Sequence, residues 1–368
     1  MQHGKPYFFV GIGGSGMMPL AMILAGQGAR VSGSDRSLDA GRLPAKFDDL
    51  RAKGVALFPQ DGSGITSPEQ IVVASAAIEA SVPDMVRATE LGNARMTRAE
   101  LNAALFNAAP ASIGVAGTSG KSTVTGMIGW ILHACGRAPT VMNGAVMKNF
   151  AGPDAPFASA LVGQGEAYVS EVDESDGSIA LYWPKIAVLN NVSLDHMPMT
   201  QLIELFGGFV AKAARAVINL DNGEGAALAM TLPAERVLRF AIEGDADLVA
   251  RDLVPQPFGI GFMLHESGAA PVSVALQVPG THNVSNALAA IGAARATGVP
   301  LLDAVAAIEG FTGLKRRFEL VGEANGVAVI DDFGHNPDKI AATLDTLHAF
   351  PGRLLLLFQP HGYGPLKV

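Results

Sequence analysis

The heptapeptide Gly117-Thr118-Ser119-Gly120-Lys121-Ser122-Thr123 has the residue types of a phosphate cradle. The backbone N–H groups of such a loop, with the N-terminus of the helix that follows, hold an anion. Lys121 is placed to reach β- and γ-phosphates, and the Ser122 hydroxyl to ligate Mg²⁺. The flanks agree: Ser112-Ile113-Gly114-Val115-Ala116 reads as a short buried strand and residues 124–135 as a helix. Val115 stands where the longer form of the motif has its first glycine, so the loop is the short G-T-x-G-K-[ST] form.

A second glycine loop, Gly11-Ile12-Gly13-Gly14-Ser15-Gly16, follows the apolar run Tyr7-Phe8-Phe9-Val10 and precedes a helix expected from about Met17 to Gly28. A further strand over residues 29–35 ends on Asp35. Strand, glycine loop, helix, strand and acid are the dinucleotide fingerprint, which reports a diphosphate and a ribose and not nicotinamide itself. Residues 71–78 form another apolar run, with Ser75 among the small residues at the strand edge where such sheets bind ligands. Arg98 and Glu100 open a helix near Leu101 to Phe106 and read as solvated helix-start residues.

These loops need partners. Tyr168-Val169-Ser170 runs into Glu171-Val172-Asp173-Glu174-Ser175-Asp176, an acidic cluster at a strand end, where a Mg²⁺ carboxylate is expected; Glu171 is the best placed. His196 follows the strand 186–189 and is a candidate metal ligand. Asn283 and Asn286 share one face of an Ala-rich helix. Asn283 reads as a cap and Asn286 as a ligand contact. Arg317, in the basic run Lys315-Arg316-Arg317, could brace a developing phosphoryl charge. Residues 328–331 form a strand ending in Asp331-Asp332, Pro337 starts a helix, and residues 353–358 form a second strand.

With 49% hydrophobic and 16% charged residues over 368, the chain can bury large cores. A net charge of −8 argues against a nucleic-acid partner. The single cysteine, Cys135, leaves no disulfide framework, reads as a core residue, and suits a cytoplasmic location. Four glycines interrupt the nearly uncharged stretch 7–26, so it reads as strand, loop and buried helix, not as a membrane or export segment. The elements form an α/β chain in three parts: a diphosphate-binding domain at 1–110, a P-loop domain at 111–314, and 315–368. The last, roughly 54 residues, is small for a free-standing domain and reads as an incomplete one.

Together these motifs resemble the Mur ligase family of ATP-dependent amide-forming ligases, from residue 7 to about 363. They occur in family order, with Ser32-Gly33-Ser34-Asp35, Asp195-His196, His282-Asn283, Arg316-Arg317-Phe318, the 331–337 run and Phe358-Gln359-Pro360-His361 adding to the two loops. The resemblance implies a three-domain architecture: a Rossmann-like N-terminal domain, a central P-loop ATPase domain, and a Rossmann-like C-terminal domain, here truncated. It implies that Gly11, Gly13, Gly14, Ser15, Gly16, Asp35 and Ser75 hold a UDP-sugar. Gly117, Thr118, Ser119, Gly120, Lys121, Ser122 and Thr123 would hold ATP, with Asn283, Asn286 and, at the ribose, Asp332. Ser122, Glu171 and His196 would hold Mg²⁺, and Lys121, Glu171, His196 and Arg317 would serve phosphoryl transfer.

The implied reaction joins an amino acid, L-alanine foremost, to the lactyl carboxylate of UDP-N-acetylmuramate through an acyl phosphate in peptidoglycan synthesis, by a cytoplasmic monomer or homodimer. No lysine lies between Lys148 and Lys185, which agrees with the L-alanine-adding branch. Asn336 replaces the family's second His, Gly362 replaces an Arg, and Leu189-Asn190-Asn191 with Lys315-Arg316-Arg317 look more like the branch that reattaches a recycled tripeptide. A UDP-muropeptide binder without turnover and a nicotinamide dehydrogenase are the other readings.

Overall fold

Tyr7–Val10 is buried at every residue, as a strand covered on both faces must be. The computed structural model describes residues 4–359 except Ala77, Asp195, His196, Glu243 and Asn336, and no side chain at Asp338. Five parallel strands form the first sheet, in the order Ala56–Phe58, Val31–Ser34, Tyr7–Val10, Ile71–Ala74, Arg95–Thr97. The order reverses at Tyr7–Val10, so the first glycine loop leaves the sheet where this class of fold binds ligands. The nearly uncharged N-terminal stretch resolves into that strand, the loop, and the buried helix Met17–Gly26. Among the described residues no helix is long and apolar enough to cross a membrane.

The second sheet has ten strands. Ala111–Ala116 lies between Ile186–Leu189 and Ala167–Glu171, parallel to both, in a run of seven parallel strands. One edge is extended by the antiparallel strands Gly259–Glu266 and Val272–Leu276. Helices Lys121–Ala134, Thr281–Ala296 and Leu301–Ile308 cover one face. On the other, Phe106, Tyr168, Phe206 and Phe209 belong to a core that also takes in Phe9 of the first sheet and Ile23 of the helix Met17–Gly26, so the two units share apolar packing.

Helix Arg98–Ala108 makes that junction specific. Thr97 and Glu100 close its N-terminus as a reciprocal capping box. One turn in, Asn102 is buried, accepts from the Tyr168 hydroxyl at 2.9 Å, and donates to Ser170 Oγ at 3.0 Å and the Tyr182 hydroxyl at 2.9 Å. The Phe106 ring meets both tyrosines edge-on.

Three expectations need correction, and that for the third part is extended. The strand at residues 71–78 ends at Ala74, where the chain turns toward Ile78. Cys135 is the C-cap of helix Lys121–Ala134 and half-buried, not a core residue. The third part opens with an antiparallel hairpin, Glu319–Ala324 with Val327–Asp331, before helix Pro337–Leu347. Residues 353–358 form no strand: Leu355 and Leu357 are 74% and 97% exposed. An apolar run becomes a strand only when a neighbouring strand takes its backbone groups.

Candidate active site

Parallel pairing sets three strand ends side by side. Ala116 stands opposite Leu189, and Val115 opposite Glu171, so the 117–123 loop, Asn190-Asn191 and the acidic 171–176 turn leave the sheet at one edge. Gly120 is in the left-handed region, and a Cβ there would stand 2.5 Å from Asn190 Nδ2 and 2.6 Å from Asn286 Oδ1. Only glycine lets the two amides close over the loop.

The amide orientations follow one from the next. Asn283 Nδ2 donates to the Pro279 carbonyl, which fixes its oxygen toward Asn286 Nδ2; Asn286 Oδ1 then accepts from Asn190 Nδ2 at 3.0 Å. Asn191 grips the loop from the other side, accepting from the Ser119 N–H and the Thr118 hydroxyl, both at 2.8 Å. Asn283 thus braces helix Thr281–Ala296, whose N-cap is Gly280.

Lys121 Nζ donates to the Gly117 carbonyl at 2.7 Å and to Glu174 at 2.8 and 3.1 Å. Ser122 Oγ donates to Glu171 Oε2 at 2.7 Å. A hydroxyl and a carboxylate thus meet at one point beside the loop. Hard oxygen donors of this kind suit Mg²⁺, which takes one or two protein oxygens and keeps waters and phosphate oxygens for the rest. Burial raises the Asp173 carboxyl, but the Ser175 N–H and the Lys121 and Arg98 charges outweigh it and hold that carboxyl below the usual aspartate range.

A cavity of about 650 Å³ gathers Lys121, Ser122, Glu171, Asn283, Asn286, Arg317 and Asp332 from separate parts of the chain. Arg317 lies 5.4 Å from the centre of the Phe333 ring. The Asp332 carboxylate accepts from the Phe318 and Gly334 N–H groups at 2.9 and 2.7 Å, tying the hairpin end to the basic run. His196 and Asn336, like residues 360–368, lie outside the described residues. The first glycine loop, Asp35 and Ser75 sit at the C-terminal edge of the other sheet. There Asp35 accepts from the Gly13 N–H at 2.9 Å and the Ser37 N–H at 2.8 Å, and Lys46 donates to the Gly13 carbonyl.

Sequence reasoning passed over Asn190, Asn191, Glu174 and Arg98 as parts of this site. Asn190 and Asn191 follow directly on the end of a strand adjacent to the phosphate-loop strand, Glu174 comes three residues after the end of the strand on its other side, and that placement was their only signal.

Residues 6–109, 115–294 and 316–364 match, in turn, the Mur ligase family catalytic domain, the Mur ligase middle domain, and the Mur ligase glutamate ligase domain. A UDP-N-acetylmuramate–L-alanine ligase from Synechococcus sp. is 39% identical over 365 residues, covering 98% of this chain and 68% of the relative. The chain belongs to the Mur ligase family. A second ligase of the same name, from Streptomyces coelicolor, is 37% identical over 97% of this chain and 77% of its own. Among solved structures, the UDP-N-acetylmuramate–alanine ligase of Thermotoga maritima superposes with a TM-score of 0.80 at 25% identity, covering 94% of this chain and 78% of that one. A murein peptide ligase from Psychrobacter arcticus gives 0.77 at 25% identity, covering 93% and 75%. The α/β architecture expected from the motifs is the family's, and Mur ligases are ATP-dependent amide-forming enzymes.

Proposed function

We propose that this chain joins L-alanine to the lactyl carboxylate of UDP-N-acetylmuramate with cleavage of ATP to ADP and phosphate, as a step in peptidoglycan synthesis. The observation that carries this reading is the convergence of Lys121, Ser122 and Glu171 on one strand edge, while a second glycine loop with its acid sits on another sheet. In this reading the chain has separate places for a nucleoside triphosphate and for a nucleoside diphosphate sugar. The relatives' names supply the acceptor and the amine.

In this reading a lactyl carboxylate oxygen attacks the γ-phosphorus, the bond to the β-phosphate oxygen breaks, and ADP leaves. The amino group of L-alanine then attacks the acyl phosphate carbon. The tetrahedral intermediate expels phosphate as the nitrogen loses its proton. Lys121 exchanges Glu174 for the transferring phosphoryl, and Arg317 offsets its charge from the third part of the chain. Ser122 and Glu171, with His196, hold Mg²⁺, which supplies Lewis-acid neutralisation of the phosphate oxygens. Asn190 and Asn191 hold the loop in place through the Ser119 backbone. Asn283 and Asn286 brace the nucleotide side, and Asp332 serves the ribose. Gly11, Gly13, Gly14, Ser15 and Gly16, with Asp35 and Ser75, hold the UDP-sugar. Most of the rate gain is positioning of the reacting groups.

The test is ADP release with each component omitted in turn. Release that requires both UDP-N-acetylmuramate and an amine is expected, with L-alanine preferred over the recycled tripeptide. Preference for the tripeptide moves the chain to the recycling branch, which its Asn190-Asn191 pair favours. ADP release indifferent to the UDP-sugar overturns the reading.

A further inference from the structure

Arg98 belongs to the first sheet but reaches the cavity of the second. It is the first residue of its helix, directly after the C-terminal end of the parallel strand Arg95–Thr97, on the edge that carries the first glycine loop. Its side chain lies over the last glycine of that loop: a Cβ at Gly16 would stand 2.7 Å from Arg98 Cδ and 3.3 Å from both Nε and Nη1. Any larger residue at position 16 would displace the guanidinium. From there Nη2 faces the acidic turn of the central part, 3.9 Å from Asp176 Oδ2, and Arg98 lines the same cavity as Lys121 and Ser122.

The helix is held for this. Its capping box does not use the Arg98 side chain, and Asn102, one turn along the same face, is locked into the second sheet by its tyrosine and serine partners. By contrast the link to Asp176 is long and half-exposed, and such pairs contribute little. Arg98 is therefore a cation on a fixed helix, loosely paired with Asp176 and close enough to act on Asp173, standing between the two glycine loops.

We propose that Arg98 binds the acceptor carboxylate, the lactyl group of the UDP-sugar, and presents it to the phosphate loop. The inference rests on the ligase reading and deepens it. A guanidinium fork matches a carboxylate in two parallel hydrogen bonds, which a point charge cannot do. The acceptor's diphosphate is held at the first loop and its carboxylate must reach the γ-phosphate at the second. Arg98 touches the first loop and opens onto the cavity of the second. Asp176 is the group exchanged for the substrate.

The experiment is a binding titration of wild type, Arg98→Ala and Arg98→Lys with UDP-N-acetylmuramate and with UDP-N-acetylglucosamine, which keeps the diphosphate and lacks the carboxylate. Arg98→Ala is expected to weaken UDP-N-acetylmuramate by about 10–100-fold, the range of charged hydrogen bonds, and to leave UDP-N-acetylglucosamine and the KM for ATP within about 2-fold. Arg98→Lys should fall between, and it preserves the test should the alanine variant fold poorly. Equal loss on both sugars assigns Arg98 to the diphosphate and overturns the proposal, as does no loss on either. Wild type that binds neither sugar overturns the ligase reading itself, and this inference with it.

Discussion

Lys121 Nζ lies 2.8 Å from Glu174 Oε2, and the Glu174 side chain is only 4% exposed. The phosphate-loop lysine is thus neutralised from within the chain, 53 residues away. Removing one partner of such a pair strands the other. Lys121→Ala is expected to lower the stability of the nucleotide-free protein by about 1–3 kcal/mol, and Lys121→Ala with Glu174→Gln should recover most of it in thermal melts. The single variant should also cut ADP release by about 10²–10³-fold or more while UDP-sugar binding persists. Normal turnover would remove Lys121 from the mechanism.

Ser122 and Glu171 make a second prediction. Glu171→Gln keeps a hydrogen-bond acceptor for the Ser122 hydroxyl and removes the charge a cation needs. The Mg²⁺ concentration for half-maximal ADP release should rise about 10-fold or more, with the melting temperature of the nucleotide-free protein little changed. An unchanged Mg²⁺ requirement would place the cation elsewhere.

The two glycine loops were legible because each is a local pattern: strand, glycines, helix start, and for the first loop an acid at fixed spacing. What Lys121 does without nucleotide was not, because Glu174 is brought to it only by the pairing of Val115 with Glu171. Asn190-Asn191 gave a weak local hint, a polar pair ending an apolar strand, and acquired meaning only when the strand proved to be the neighbour of Ala111–Ala116. Arg98 read as a solvated helix start because its contact with Gly16 spans 82 residues, and nothing in the run Thr97-Arg98-Ala99-Glu100 reveals which loop it covers. The misread strand at 353–358 is the converse: its local pattern was strand-like, and pairing is not a local property.

Asn102 joins the two sheets. Asn102→Leu would leave the buried Tyr168 and Tyr182 hydroxyls without that amide. Burial pushes the Tyr182 phenol up to about 12, so it stays protonated and in need of a partner across the working pH range. A loss of about 2–3 kcal/mol is expected in denaturant unfolding. Weaker binding of UDP-N-acetylmuramate should accompany it, since Arg98 sits one turn away. Undiminished stability would show that apolar packing alone joins the sheets.

Asp84 gives a pH signature. It is fully buried, and burial raises its carboxyl above the usual range against the hydrogen bonds from Ser34 Oγ and the Gly62 N–H. Its folded value is therefore the higher one. Between the unfolded value, about 3.9, and that raised value the native state binds more protons, so stability falls as pH rises through the window. Asp84→Asn lacks the titration. The melting temperature of wild type minus that of Asp84→Asn should fall as pH rises above about 4 and then level off. A difference that stays flat or rises would contradict the assignment.

The central claim is that a carboxylate of the UDP-sugar is activated by phosphoryl transfer. UDP-N-acetylmuramate labelled with ¹⁸O in its lactyl carboxylate, supplied with ATP, Mg²⁺ and L-alanine, tests it most directly by mass spectrometry of the products. The account predicts ADP and UDP-N-acetylmuramoyl-L-alanine in equal amounts, with one labelled oxygen carried into the released phosphate. Turnover that yields unlabelled phosphate, or no ADP with L-alanine or with the recycled tripeptide in its place, would contradict it.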